Sequence, residues 1–367
     1  MVESFFYAQP VKIRFGEGSF DRLGELLDEL GVKRAVLVCG RHFAPRALEL
    51  TAQDGRFAAA FCSVEQNPQL SGVEETVRLC RRHGADAVIG VGGGSAMDTA
   101  KFAAAVAPNE GTAEDYYRGR RALDAKNRLT IIAVPTTAGT GSEVTQVSVI
   151  SCGSEKITTN HPAFMPTAAV VDPLLTLGVP PRTTMNTGLD AIAHAIEGYW
   201  SVNHQPITDL LATEAVRVAL ENLERAYTDG SDRAARRAMS YASLLAGMSF
   251  AQPKTAACHA CSYPLSERFH LPHGEACAFT LDSFVRLNAD ERLEKLARGA
   301  GLSGTAELAE RIAALKELAG LRRRLSELAE EVDVPDLAAA CLAHPLMNNN
   351  PRRLTQGDLI AMFEALR

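Results

Sequence analysis

Long apolar runs are missing from this chain. None reaches the length that spans a bilayer, which excludes a helical membrane protein and leaves no membrane partner to expect. The opening residues, Met1-Val2-Glu3-Ser4-Phe5-Phe6, lack the basic segment and apolar core of a secretory signal, so a cytoplasmic location is expected. An excess of positive charge is also missing. The net charge is −6, from 38 basic against 44 acidic side chains, and this argues against nucleic acid as a partner. Eight cysteines scattered over 367 residues are too thinly spread for a disulfide scaffold, so free thiols are expected. Cys258 and Cys261 form a C-x-x-C with no second copy, and the pair reads as small apolar filling rather than a zinc or redox motif. Two nucleotide signatures are absent as well: the G-K-[ST] of a Walker loop and the standard G-x-G-x-x-G. Internal repeats and low-complexity segments do not occur.

What is present fits a large enzyme. An apolar content of 46% supports extensive cores, and the length suits two domains. Strand-like runs at residues 11–15, 35–39, 56–62, 87–90, 129–134, 147–151 and 168–171 alternate with helical patterns at 20–30, 73–82 and 95–106. Such alternation predicts an α/β domain built on a doubly wound, mainly parallel sheet. Beyond the Pro180-Pro181 break the strand signals almost vanish. Helical patterns follow at 183–202, 206–226, 233–252, 254–268, 274–288, 291–300, 305–331 and 355–366, which predicts an all-α C-terminal domain. The expected division is therefore 1–179, nucleotide-binding, and 180–367, helical. Within the last long pattern, Arg322, Arg323 and Arg324 with Glu327, Glu330 and Glu331 read as a solvated helix face.

Two small-residue stretches carry a cofactor signal. Gly92, Gly93, Gly94 and Ser95 close a buried strand and open a helix, where backbone N–H groups and the absence of Cβ atoms suit a pyrophosphate. Thr136, Thr137, Ala138, Gly139, Thr140, Gly141 and Ser142 follow the next strand. Either stretch alone is as readily a structural turn; two on successive strand ends favour a nucleotide. Asp98 and Lys101, on the first turns of the helix, read as a cap and a surface charge.

Asp190, His194, His259 and His273 are placed like metal ligands. One carboxylate and three imidazoles suit a divalent transition metal with open positions for substrate. Asp190 and His194 share a helix face at i, i+4, His259 falls on a later helix, and His273 falls in a loop before the next. The D-x-x-x-H spacing is common, and a histidine in an apolar helix is often a satisfied core residue. Spacing alone leaves both readings open.

At this point the chain resembles the iron-containing, group III alcohol dehydrogenase family, with its glycerol dehydrogenases and maleylacetate reductases. The matching segments are GGGSAMDTAK at 92–101, PTTAGTGSEVT at 135–145, VDP at 171–173, GLDAIAHAIEGYWS at 188–201, and His259 followed by His273-Gly274. They are collinear and span most of the chain. The resemblance implies the iron alcohol dehydrogenase or dehydroquinate synthase-like fold. It makes Asp190, His194, His259 and His273 ligands of Fe(II), or of Zn(II) or Mn(II) in its place. It also sets the pyrophosphate at Gly92, Gly93, Gly94 and Ser95, with Asp98, Thr136, Thr137, Thr140 and Ser142 around an NAD(H) or NADP(H) cofactor. A homodimer is the expected assembly.

Two departures sharpen this. Simple-alcohol members carry a second histidine four residues after the third ligand; here that position is Tyr263. The run Lys254 to Leu265, KTAACHACSYPL, is closer to a subgroup resembling phosphonoacetaldehyde and sulfoacetaldehyde reductases, whose substrates are two-carbon aldehydes with an anionic head. An anion needs fixed donors, and Lys254, Ser262 and Tyr263 are the candidates, with Asn160, His161 and Arg268 behind them. Lys254 and Tyr263 are also the catalytic candidates, Tyr263 as a proton route. The plain alternative makes Lys254 a surface charge and Tyr263 a packed aromatic. Second, the strand at 35–39 leads into Gly40-Arg41-His42, without the acidic residue that binds a ribose 2′-hydroxyl. Gly40 and Arg41 should therefore admit NADP(H). The expected activity is metal-dependent reduction of a small anionic aldehyde. The alternatives are a general primary-alcohol or lactaldehyde-type dehydrogenase, a maleylacetate reductase-like enzyme, a dehydroquinate synthase-like lyase, and a non-catalytic binding protein.

Overall fold

The computed structural model describes residues 4–153 and 155–367. The chain forms two compact units. The first comprises Gln9–Thr137 and Gly141–Thr176. In chain order it holds β1 (Lys12–Phe15), α1 (Leu23–Glu29), β2 (Ala35–Cys39), α2 (Ala44–Gln53), β3 (Phe57–Phe61), α3 (Leu70–His83), β4 (Ala87–Gly92), α4 (Gly94–Val106), α5 (Ala113–Tyr117), β5 (Thr130–Pro135), β6 (Val147–Cys152), β7 (Glu155–Asn160) and β8 (Ala168–Val171).

Six strands make one parallel sheet in the order β1-β8-β5-β4-β2-β3. β2 is buried along its whole length, because alternate side chains enter separate cores on the two faces of the sheet. Leu37 packs with Leu26, Ile89 and Ile132, while Val36 and Val38 pack with Ala100, Ala104 and Ile131. Apolar burial on both faces is what a doubly wound sheet requires. The chain leaves β2 towards β3 on one side and leaves β4 towards β5 on the other, which makes the C-terminal ends of β2 and β4 a topological switch point, the usual ligand position in such sheets.

The second unit comprises the described residues before Gln9, Ala138–Thr140 and Leu177–Arg367. It is helical: α6 (Pro181–Trp200), α7 (Pro206–Thr228), α8 (Arg233–Phe250), α9 (Ala257–Phe269), α10 (His273–Leu287), α11 (Glu291–Gly299), α12 (Thr305–Leu318), α13 (Val334–Ala343) and α14 (Gln356–Glu364). The α6 helix opens on Pro181, whose missing N–H costs nothing in a first turn. One continuous apolar core joins α6 through α14, with Ile192, Leu223, Phe279 and Phe363 fully buried in it.

The α/β and all-α architecture matches the sequence expectation, with local corrections. The 147–151 strand lies outside the parallel sheet. As β6 it pairs antiparallel with β7, Val147 opposite Asn160, and β7 escapes notice because its sequence, EKITTN, is polar. The helices at 44–53, 113–117 and 334–343 were not expected. The pattern at 305–331 is not one helix: α12 stops at Leu318, and Gly320 takes φ +59°. Beyond it Arg322 lies outside any helix and is only partly solvated: its side chain is 30% exposed and its Nε donates to the fully buried Glu275 at 2.8 Å. His273 is helical, the first residue of α10. All eight cysteines are free thiols, and Cys258 and Cys261 are buried.

Candidate active site

The glycine turn belongs to the first unit. Gly92 ends β4, Gly93 is the N-cap residue of α4 and Gly94 begins the helix. In the sheet Gly92 stands opposite Pro135, and Thr136 N–H donates to Gly92 O at 2.9 Å, so the two small-residue stretches issue side by side. A Cβ on Gly93 would lie 3.4 Å from Thr137 Oγ1, which measures how closely they run. On the other flank Cys39 pairs with Val91, bringing Gly40 and the exposed Arg41 to the same end of the sheet. Gly92, Gly93, Gly94 and Ser95 are partly accessible, with a helix N-terminus behind them to receive a phosphate.

Beneath this turn lies a polar network in which Lys101 is not a surface charge. Lys101 is fully buried. Its Nζ donates to Ser142 Oγ at 2.6 Å and to Val147 O at 2.9 Å. Ser142 Oγ donates in turn to Asp98 Oδ1 at 2.7 Å, and Val149 N–H donates to Asp98 Oδ2 at 2.9 Å. Burial raises the Asp98 carboxyl above its ordinary range against the pull of Lys101. Burial also lowers Lys101 to about 8 and raises the neighbouring Glu143 to about 7. Asp98 and Ser142 thus brace the loop from below. Of the remaining expected cofactor residues, Thr137 lies beside Gly93, and Thr140 falls in the segment 138–140 that packs with the second unit.

The metal candidates all lie in the second unit. Asp190, His194 and Glu197 project from one face of α6 at i, i+4 and i+7. His259 comes from α9 and His273 from the first turn of α10. The helix start can approach α6 because residue 274 is glycine: a Cβ there would stand 2.1 Å from Asn186 O. Donor atoms of Asp190, His259, His273 and Cys277 all lie within 4.8 Å of one another. His194 reaches in beside them, its Nε2 3.0 Å from His259 Nε2.

The hydrogen bonds show which of these donors are already engaged. His194 Nδ1 lies 3.3 Å from Gly139 O and takes the donor role there. His259 Nδ1 is bonded to Glu197 Oε2, while Glu197 Oε1 accepts from Cys258 N–H at 2.6 Å. With both Nδ1 atoms so engaged, His194 Nε2 presents a lone pair, and His259 Nε2, 3.0 Å from it, presents one too once its own proton has left. Asp190 Oδ1 is buried without a hydrogen-bond partner among the described residues, 3.7 Å from His259 Nε2 and 3.8 Å from His273 Nε2. A divalent cation in place of the His259 proton would satisfy both nitrogens and Asp190 Oδ1 together. Nitrogens bound at about 2.1 Å to one ion stand roughly 3.0–3.4 Å apart, so the residues fit a metal ion. The carboxylate on His259 is the second partner that metal-bound imidazoles ordinarily keep.

Charge follows the same pattern. Burial pushes His194 down to about 4, so its ring is neutral at neutral pH. Burial acts the same way on His259, yet Cys277 and Glu197 outweigh it and hold that imidazole well above its ordinary range. Burial would raise Asp190 too, but His194, His273 and His259 keep it low. The centre therefore attracts positive charge. Asp190, His194 and His259 are nearly sealed, with side chains 4%, 7% and 6% exposed, whereas His273 is 41% exposed, so the open side is that of His273. The Phe250 ring stacks on His194 at 4.2 Å and 9°, walling the other side with carbon.

The substrate candidates are dispersed. Lys254 follows α8 with φ +70°, and its Nζ donates to Ala251 O at 2.8 Å. Burial lowers its pKa. Tyr263, on α9, stacks on His344 at 4.4 Å and 17°. Ser262 is fully buried and its hydroxyl donates to His259 O at 2.8 Å, so it is corrected from substrate donor to a bond inside its own helix. Arg268 pairs with Asp336 at 2.7 Å. Asn160 and His161 belong to the first unit, and His161 Nδ1 accepts from Ala163 N–H at 3.1 Å. Sequence reasoning missed Glu197 and Cys277. The i+7 spacing from Asp190 and the i+4 spacing from His273 are the signals that point to them.

A family model described as iron-containing alcohol dehydrogenase matches residues 10–173, and one for the C-terminal part of the Fe-containing alcohol dehydrogenase family matches 184–367. Long-chain-alcohol dehydrogenase 1 of Geobacillus thermodenitrificans is 35% identical, over 95% of this chain and 93% of that protein. Sulfoacetaldehyde reductase of Bilophila wadsworthia is 31% identical, over 99% of both. The crystal structure of sulfoacetaldehyde reductase from Bifidobacterium kashiwanohense in complex with NAD+ is similar at TM-score 0.94, with 37% identity over 99% of both chains.

Proposed function

The chain belongs to the iron-containing alcohol dehydrogenase family, and from that premise we propose that it reduces a two-carbon aldehyde with an anionic head group, sulfoacetaldehyde first, to the primary alcohol. Lys254 carries the substrate reading. It is a half-buried ammonium whose hydrogen bond goes to a backbone carbonyl, and no carboxylate pairs with it among the described residues. A sulfonate or phosphonate supplies the missing anion, and a charge-assisted bond results. Sulfonate is preferred because sulfoacetaldehyde reductases stand among the proteins similar over nearly the whole chain. Tyr263 is the second head-group donor in this reading.

Asp190, His194, His259 and His273 would hold ferrous iron, which when bound polarises the aldehyde oxygen as a Lewis acid. Gly92, Gly93, Gly94, Ser95 and the neighbouring strand ends would hold NAD(H), which would supply the hydride. The chain's own part is to hold the donors. Glu197 fixes the ring of His259, Gly139 O fixes that of His194, and Phe250 keeps water from its face. No carboxylate follows β2 at Gly40, Arg41 or His42 to repel a 2′-phosphate, so NADPH is accepted too.

The test is NADH and NADPH oxidation by the iron-loaded protein with sulfoacetaldehyde, phosphonoacetaldehyde and propanal. Lys254→Ala should raise KM for the two anionic aldehydes about 10–100-fold, the weight of a hydrogen bond to a charged group, and leave that for propanal nearly unchanged. Equal effects on all three would remove the head-group role. Similarity to a long-chain-alcohol dehydrogenase supports a second reading, simple alcohols, and wild-type preference for propanal would establish it.

A further inference from the structure

Cys277 lies one helical turn after His273 on α10 and is fully buried. The ligand set read from the sequence has no place for it. Its Sγ is 3.8 Å from His273 Nε2, and it shares the 4.8 Å cluster with Asp190, His259 and His273. A second observation points to the same spot: Asp190 Oδ1 is buried and has no hydrogen-bond partner among the described residues. A thiolate bound at about 2.3 Å and an imidazole bound at about 2.0–2.1 Å to one ion stand roughly 3.1–3.6 Å apart, for angles between octahedral and tetrahedral. The observed sulfur–nitrogen gap needs little closing.

We propose that Cys277 is a thiolate ligand of the metal, so that the centre favours Zn(II) over Fe(II) more than its carboxylate and imidazoles alone would. Thiolate is the softest donor in the cluster, and softness selects zinc over ferrous iron. On binding, the S–H bond breaks, a sulfur–metal bond forms and the proton passes to solvent, one proton per ion from this residue. The inference rests on reading this cluster as the metal centre.

Cobalt(II) titration of the full-length protein, with metal content measured alongside, tests it. The wild type should show the near-ultraviolet thiolate-to-cobalt charge-transfer band, Cys277→Ser should bind cobalt without it, and Cys258→Ser should keep it. In competition between Zn(II) and Fe(II), the zinc-to-iron ratio bound should fall about tenfold in Cys277→Ser, the lower end of what a supporting group contributes at a metal site. X-ray absorption on zinc-loaded wild type, which needs no variant, should show one sulfur at about 2.3 Å. Stoichiometric metal with no sulfur bond, or a band that survives Cys277→Ser, overturns thiolate ligation while the metal centre stands. No uptake of any divalent ion overturns both.

Discussion

At the scale of single residues, Glu197 and Glu143 make the sharpest claims. Glu197 is fully buried and hydrogen-bonds His259 Nδ1 and the Cys258 N–H. Glu197→Gln removes the charge that orients that imidazole and should weaken metal binding about 10–100-fold. Metal titration measures this, and an unchanged affinity would contradict the role. His259→Ala should lower metal content and turnover while NADH binding, followed by nicotinamide fluorescence, persists. Glu143 carries a pH dependence. Its folded pKa is raised by burial to about 7, so its contribution is fully present below the ordinary carboxylate range and is lost as pH rises towards 7. Glu143→Gln should therefore gain stability relative to wild type between about pH 4.5 and 7, by up to roughly 3 kcal/mol. Denaturation at pH 4.5 and pH 7 checks it: parallel behaviour would mean that Glu143 ionises normally.

At the scale of elements, the centre depends on how α10 meets α6. Gly274 permits it, since a Cβ there would overlap Asn186 O at 2.1 Å. Gly274→Ala should force the helices apart at a cost of about 1–3 kcal/mol and carry His273 out of reach. Thermal unfolding and metal content should fall together; a drop in stability with full metal occupancy would separate the contact from the site. The sheet shows why some elements were legible and others not. β2 and β4 are buried on both faces and announce themselves as apolar runs. β7 is polar and half-exposed and leaves no such trace. In the 305–331 pattern the apolar period continues past Leu318, but the turn at Gly320 and the pairing of Arg322 with Glu275 break the helix. The first is local chemistry, the second a partner 47 residues away.

For the whole molecule, the glycine turn and the candidate metal cluster fall in different units, each with its own core. Chelator treatment should lower the unfolding temperature and leave NADH affinity intact. Restoring a divalent ion at about a hundred times its dissociation constant should return roughly 2.7 kcal/mol. Loss of NADH binding along with the metal would show that the two functions are not divided in this way.

The sequence by itself determined the α/β and helical architecture and the glycine turn at 92–94. Both are written in local periodicity or in a short motif, and a helix or a strand-to-helix turn reads such patterns without help from afar. Asp190, His194, His259 and His273 were put forward as donors by a family resemblance, since their spacing alone left a core reading open. The tertiary structure alone decided that Lys101 is buried rather than exposed, that Glu197 stands behind His259, that Ser262 is spent within its helix and that Cys277 joins the cluster. Those facts turn on which side chains meet after α6, α9 and α10 have packed. The charge and donor role of a buried group follow from its neighbours in space, and one chain position says nothing of them until the core has closed.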